Sequence, residues 1–160
     1  MKRNAKIILV LTIAFLVLGV SFMFYFFVGQ KYAYAKKYAN TLFEYEMPAA
    51  TQVIEKDFDY GVFYGGGPWG SGGYPTMVAY IKISTQLSEK EVFEHYNKNG
   101  FEIYFKGTEE LQKNDKGQIW YEGNIKNEDS LSTKENSKVP IEVIIQYRIE
   151  FTYPLFFDFN

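Results

Sequence analysis

The 160-residue chain contains no cysteine. Disulfides and thiolate metal sites are excluded at once. Histidine occurs once, at His95, which leaves little for acid–base or nucleophilic chemistry. No serine nucleophile elbow, His-x-x-Glu-His helix or Ser-x-x-Lys motif is present. The most consequential lack is local. Residues 7–28 form 22 consecutive positions without a charge.

That run reads IILVLTIAFLVLGVSFMFYFFV. At about 1.5 Å per residue it makes a helix about 33 Å long, enough to cross a hydrocarbon core of about 30 Å. Thr12 and Ser21 can bond back to their own helix, and the aromatic stretch 22–27 suits an interfacial ring belt. The expectation is a transmembrane signal anchor over residues 7–28, with the lipid bilayer as partner. The run exceeds the 7–15 apolar residues of a cleaved signal peptide. Ala33-Tyr34-Ala35 nevertheless matches a small-x-small cleavage pattern, so secretion after cleavage near Ala35 is the alternative.

Lys2, Arg3 and Lys6 flank the start of the run, and Lys31, Lys36 and Lys37 its end. The positive-inside count is nearly tied. The α-amino group and the compact charge before residue 7 favour an inside N-terminus. Residues 1–6 then read as a cytoplasmic basic tail, 29–48 as a juxtamembrane helix or stalk, and 49–160 as one extracytoplasmic domain.

Residues 30–160 carry 14 Lys and Arg against 19 Asp and Glu, a net −5. No basic stripe exists to neutralise phosphates, so nucleic acid is not an expected partner. Fifteen Phe and 14 Tyr promise a bulky core. A cysteine-free outer domain, with Lys greatly exceeding Arg, suggests a Gram-positive bacterial surface.

Residues 30–47 continue the helical pattern up to Pro48. Strands are expected over 52–64, 76–85, 101–106, 118–123 and 141–151. In the first, apolar residues change phase between Val53 and Phe58. The last alternates strictly, with Ile141, Val143, Ile145, Tyr147, Ile149 and Phe151 on one face, implying one buried and one largely wet face. Ser88-Glu89-Lys90-Glu91 fits a capping box opening a helix, and Gly100 is its expected left-handed stop. Residues 106–117 and 124–138 read as polar connections. The expected fold is α+β: a transmembrane helix, then a two-layer domain with an antiparallel sheet of about five strands and one covering helix.

The most distinctive candidate site is a glycine-rich loop. Residues 61–73 hold seven of the 13 glycines. Glycine lets backbone approach a ligand, and Trp69 supplies a flat amphipathic anchor. Tyr64, Gly66, Gly67, Trp69, Gly70 and Tyr74 are therefore the candidate ligand-binding residues. The loop lacks the Gly-Lys-Ser/Thr of a phosphate-binding P-loop. Trp69 folded back onto the sheet is the plainer reading. His95, with Glu91 one turn earlier, reads as a helix-surface residue. Asp57 and Asp59 share a strand face, as a catalytic or metal-binding pair would, though solvated carboxylates explain them as well.

These features lead to an expectation of a non-enzymatic binding or interaction module of a bacterial envelope, requiring no metal or cofactor, with an envelope protein or surface ligand as partner. An immunity-type protective membrane protein is the alternative. A wall-active hydrolase using Asp57 or Asp59 with His95 is a third.

Overall fold

The computed structural model describes residues 2–63, 75–134 and 139–150. The chain divides into two units, Met1–Tyr34 and Ala35–Asn160. In the first, α1 (Lys2–Phe24) is followed by a single π-helical turn, Tyr25–Gly29. Thr12 donates its hydroxyl to the Ile8 carbonyl at 2.9 Å, so its polar group is satisfied within the helix. Asn4–Phe27 is long and apolar enough to cross a membrane, and its large side chains are exposed all round.

The helix α2 (Gln30–Phe43) ends four residues before Met47, where Pro48 had set the limit. Its Ala35, Ala39 and Leu42 are fully buried. The domain then runs β1 (Thr51–Gly61), β2 (Thr76–Thr85), α3 (Glu89–Tyr96), β3 (Glu102–Phe105), β4 (Glu109–Lys113), β5 (Ile119–Gly123) and β6 (Ile141–Glu150). Among the described residues, β1-β2-β6-β3 form one antiparallel sheet in that order, and β4-β5 form a separate hairpin.

The phase change in β1 is a β-bulge. Val53 pairs with Ile83, but Glu55 pairs with Lys82, so Ile54 is the extra residue. Beyond it, Lys56, Phe58 and Tyr60 share a face with Ile81, Ala79 and Met77. Glu55, Asp57 and Asp59 lie on the other face with Lys82, Tyr80 and Val78.

The first face carries Met77, Ala79, Ile81, Ile83, Val143, Ile145, Ile103 and Phe105, all buried. Two helices cover it rather than the single one expected. Phe43 of α2 packs edge-on to Phe58 with centroids 6.2 Å apart. From α3, Tyr96 meets Phe101, which in turn packs on Tyr147 of β6. The α3 capping box is formed: Ser88 accepts from the Glu91 amide, and Glu91 accepts from the Ser88 amide. The Ser88 hydroxyl also donates to the Glu91 carboxylate at 2.7 Å, and this bond, then that from the Ser88 amide, holds the carboxyl below its ordinary pKa. A short 3₁₀ turn, Asn97–Asn99, extends the helix to Gly100, whose φ of 69° is the left-handed stop.

The opposite face departs from expectation. Ile144 and Gln146 of β6 are buried at 4% and 0% exposure. The β4-β5 hairpin lies over this face, making a third layer, so the central even positions of β6, Ile144 and Gln146, are not wet. Strand β4, EELQK, has one apolar residue and reads as a polar connection in sequence. Its partner supplies the apolar contact. The turn between the two strands falls at Asn114-Asp115-Lys116-Gly117, where Gly117 takes φ 83°.

Candidate functional site

The six residues proposed for ligand binding, Tyr64, Gly66, Gly67, Trp69, Gly70 and Tyr74, lie outside the described residues. Their frame is described. The glycine-rich segment leaves the sheet at Gly61 and returns at Thr76, and these two residues face each other in the ladder. Thr76 also pairs with Glu150, the last residue of β6. The glycine-rich segment and residues 151–160 therefore both join the sheet at one rung.

That rung is braced from the hairpin side. Gly61 has φ 139°, and a Cβ there would run into Gln118 Nε2. Glycine at 61 lets Gln118 donate to the Tyr60 carbonyl at 2.8 Å. Gln118 Oε1 accepts from Asn114 Nδ2 at 2.8 Å, and Asn114 Oδ1 accepts from the Gln118 backbone amide at 3.1 Å. One residue on, the Ile119 amide donates to Asp59 Oδ2 at 3.1 Å. Burial raises the Asp59 pKa, against the lowering effect of the Ile119 and Tyr60 amides. Phe63, at the threshold of the loop, meets Trp120 edge-on at 5.5 Å and shares a buried cluster with Val78.

Further along, the hairpin is held by a side chain that behaves as a strand would. The Gln146 amide accepts from Tyr121 N–H at 2.8 Å and donates to the Tyr121 carbonyl at 2.9 Å. A second donated bond goes to Glu102 Oε2. Arg148 Nη2 reaches the Tyr121 carbonyl at 3.2 Å and Glu102 at 3.4 Å. Tyr104 donates to Glu102 at 3.0 Å, and Tyr80 donates to Glu55 at 2.7 Å. Tyr80 and Tyr121 pack edge-on at 5.1 Å. Burial, then the neighbouring carboxylates Glu55 and Glu102, push the Tyr80 and Tyr104 phenols well above their usual range. Burial also raises Tyr121. The Tyr80 and Tyr104 hydroxyls thus serve as hydrogen-bond donors to carboxylates.

His95 sits on the helix side of the sheet. Its Nε2 lies 2.7 Å from the Glu46 carbonyl, so that nitrogen carries the proton and donates. Tyr45 returns a bond from its hydroxyl to the His95 carbonyl at 3.0 Å, and its ring packs on His95 and Phe101. His95 thus fastens the segment after α2 to α3. Asp57 and Asp59 face the hairpin layer, on the other side of the sheet. The structure does not bring His95 to either carboxylate. Among the described residues, no three His, Asp or Glu groups converge as metal ligands.

Comparison with protein-family models, curated proteins and solved structures gives no match. The chemistry must be argued from these residues alone. Sequence reasoning missed Glu102, Gln118, Tyr121 and Gln146. No local signal marks them, because their bonds join segments distant in sequence.

Proposed function

We propose that the protein is a single-pass, membrane-anchored binding module of a bacterial envelope, with its α+β domain outside the cell and without enzymatic activity. The carrying observation is the span Asn4–Phe27, apolar and exposed on all sides. Such a surface is stable in lipid and unstable in water. Retention over cleavage is supported by α2, which runs through Ala33-Tyr34-Ala35 without a break. Proteolysis favours exposed loops over helices.

The binding reading is supported by the rigid rung that frames the glycine-rich segment. Gly61, Phe63 and Thr76 are fixed by Gln118, Trp120 and the ladder. Between them lies an eleven-residue stretch, 64–74, rich in glycine and aromatic residues. A binding loop on a rigid scaffold loses less ordering entropy when it engages a ligand.

The test is carbonate extraction of membranes together with protease treatment of intact cells carrying a C-terminal tag. The proposal expects the full-length chain in the membrane pellet and the tag digested. A shortened, soluble chain would establish secretion instead. A protected tag would reverse the topology.

A further inference from the structure

The β4-β5 ribbon has two outer edges, and they meet different surroundings. Bonds from the Asn114 amide to the Gln118 carbonyl and from the Asn124 amide to the Thr108 carbonyl, both 3.1 Å, set the alternation of the ladder. Even-numbered residues of β4 turn their backbone groups to β5, and Glu109, Leu111 and Lys113 turn theirs outward. On β5 the outward residues include Ile119 and Tyr121, and these meet Asp59 and Gln146 of the main sheet. The two edges of a ribbon point in opposite directions, so the β4 edge faces away from the sheet. Among the described residues, nothing bonds the outward amides and carbonyls of Glu109, Leu111 and Lys113. Leu111 is 55% exposed. An open strand edge is a template for another extended segment.

The sequence of this edge is complementary to itself. Strand β4 reads Glu109-Glu110-Leu111-Gln112-Lys113. In an antiparallel pairing of two copies centred on Leu111, the two leucines meet, each Glu109 faces a Lys113, and each Glu110 faces a Gln112. Glu109, Leu111 and Lys113 share one face, so the apolar pair is flanked on both sides by opposite charges. These three are also the residues whose backbone groups point outward, so the register closes about six N–H···O=C bonds. Centring on Glu109, Glu110 or Lys113 sets like charges opposite one another, and centring on Gln112 sets Lys113 against Leu111. One Glu109 oxygen accepts from the Thr108 amide at 2.9 Å, leaving the other for the lysine. Tyr121, opposite Leu111 across the ribbon, continues the apolar strip in each copy.

We propose that two copies of the chain pair in the membrane through β4, antiparallel and centred on Leu111. Their ribbons then join into one four-stranded sheet, β5-β4-β4-β5, about a two-fold axis. Five residues from each copy bury less than the roughly 1,000 Å² that an interface stable in solution requires. Two anchored copies share a bilayer, which raises their effective concentration. The pairing therefore rests on the membrane-anchored reading and adds a partner to it, a second copy of the same chain.

Because the chain has no cysteine, single cysteines read the register. Residues directly opposite in such a pair have Cα atoms about 5.5 Å apart, within disulfide reach. The full-length Leu111→Cys variant in membranes should therefore cross-link to itself under mild oxidation. Lys113→Cys should not, because its two copies lie about 14 Å apart. It should cross-link to Glu109→Cys when the two variants are co-expressed. In the Leu111→Cys background, Lys113→Glu should lower the cross-linked fraction about fivefold by setting glutamate against glutamate, and adding Glu109→Lys should restore it. Equal self-cross-linking of the Leu111→Cys and Lys113→Cys variants would report random collision and overturn the proposal. So would a Lys113→Glu variant that cross-links undiminished, or the absence of the mixed product. Carbonate extraction of the same membranes separates the two readings. A Leu111→Cys chain retained in the pellet but not cross-linked would remove the pairing and leave the anchor. A chain absent from the pellet would remove both.

Discussion

Ile145 and Gln146 are neighbours on β6, both fully buried, and they point to opposite faces of the same sheet. Ile145 enters a layer of aliphatic and aromatic side chains beneath α2 and α3. Gln146 enters a layer where Tyr121, Glu102 and Arg148 surround it with hydrogen bonds. Burial on the first face is stabilised by removal of apolar area, about 25 cal/mol per Å². Burial on the second is governed by satisfaction of polar groups, and a shift in the hairpin leaves them unpaired. The helix face buries the larger set of aliphatic side chains. The hairpin face fixes position, and through Gln118, Asp59 and Phe63 it fixes the rung from which the glycine-rich segment departs.

The largest expected effect is on the helix side. Ile145→Ala should destabilise the domain by about 3–4 kcal/mol through lost transfer energy and a cavity, read by urea denaturation of the full chain in detergent. Gln146→Leu should cost about 2–3 kcal/mol, because it preserves volume but leaves the Tyr121 amide without its acceptor and takes one donor each from the Tyr121 carbonyl and the Glu102 carboxylate. The two substitutions should differ in kind as well. The first loosens the whole domain, whereas the second frees the hairpin while β2 and β6 persist. Equal effects on both layers would break the distinction.

The tyrosines sharpen the comparison through pH. The hairpin-side phenols of Tyr80, Tyr104 and Tyr121 have raised pKa values, and Tyr96 on the helix side is pushed up to about 12 by burial. The folded state holds these protons more tightly than the unfolded chain. Their contribution to stability is complete below pH 10 and is lost as pH rises through the folded values. Ultraviolet titration should show an early exposed class and a late class that ionises together with unfolding. A single class near pH 10 would contradict the buried assignments. Smallest is Ser88→Ala, which should cost about 1 kcal/mol by removing the α3 cap, measured by the same denaturation, with no change at the hairpin.

How far the fold could be read from the chain follows the same division. Elements of the helix side were legible because their signals are local. The capping box at Ser88, the left-handed Gly100 and the odd-position apolar ladder of β6 each depend on a few adjacent residues. The phase change after Val53 was also visible, and its cause is the extra residue Ile54. On the hairpin side β5 was legible as the strand expected over 118–123, but β4 and the placement of the hairpin on the sheet were not. Strand β4 carries Glu109, Glu110, Gln112 and Lys113 around a single apolar Leu111, and Leu111 itself is exposed. Its placement depends on polar groups of distant segments that meet only after folding. Gln146 in β6 looks in sequence like any outward-facing residue. Strand and helix spacing alone do not reveal that a sheet separates Asp57 and Asp59 from His95, the set on which the hydrolase alternative rested.

Residue-resolved hydrogen exchange of the full-length protein tests the account most directly. The hairpin should be part of the folded core, so the Tyr121 amide, donating to Gln146, should exchange nearly as slowly as the central amides of β2 and β6. Gln146→Leu should abolish that protection while leaving β2 protected. Rapid exchange at Tyr121 in the unaltered protein, at rates typical of an exposed loop, would mean the second face of the sheet is open and would contradict the three-layer architecture.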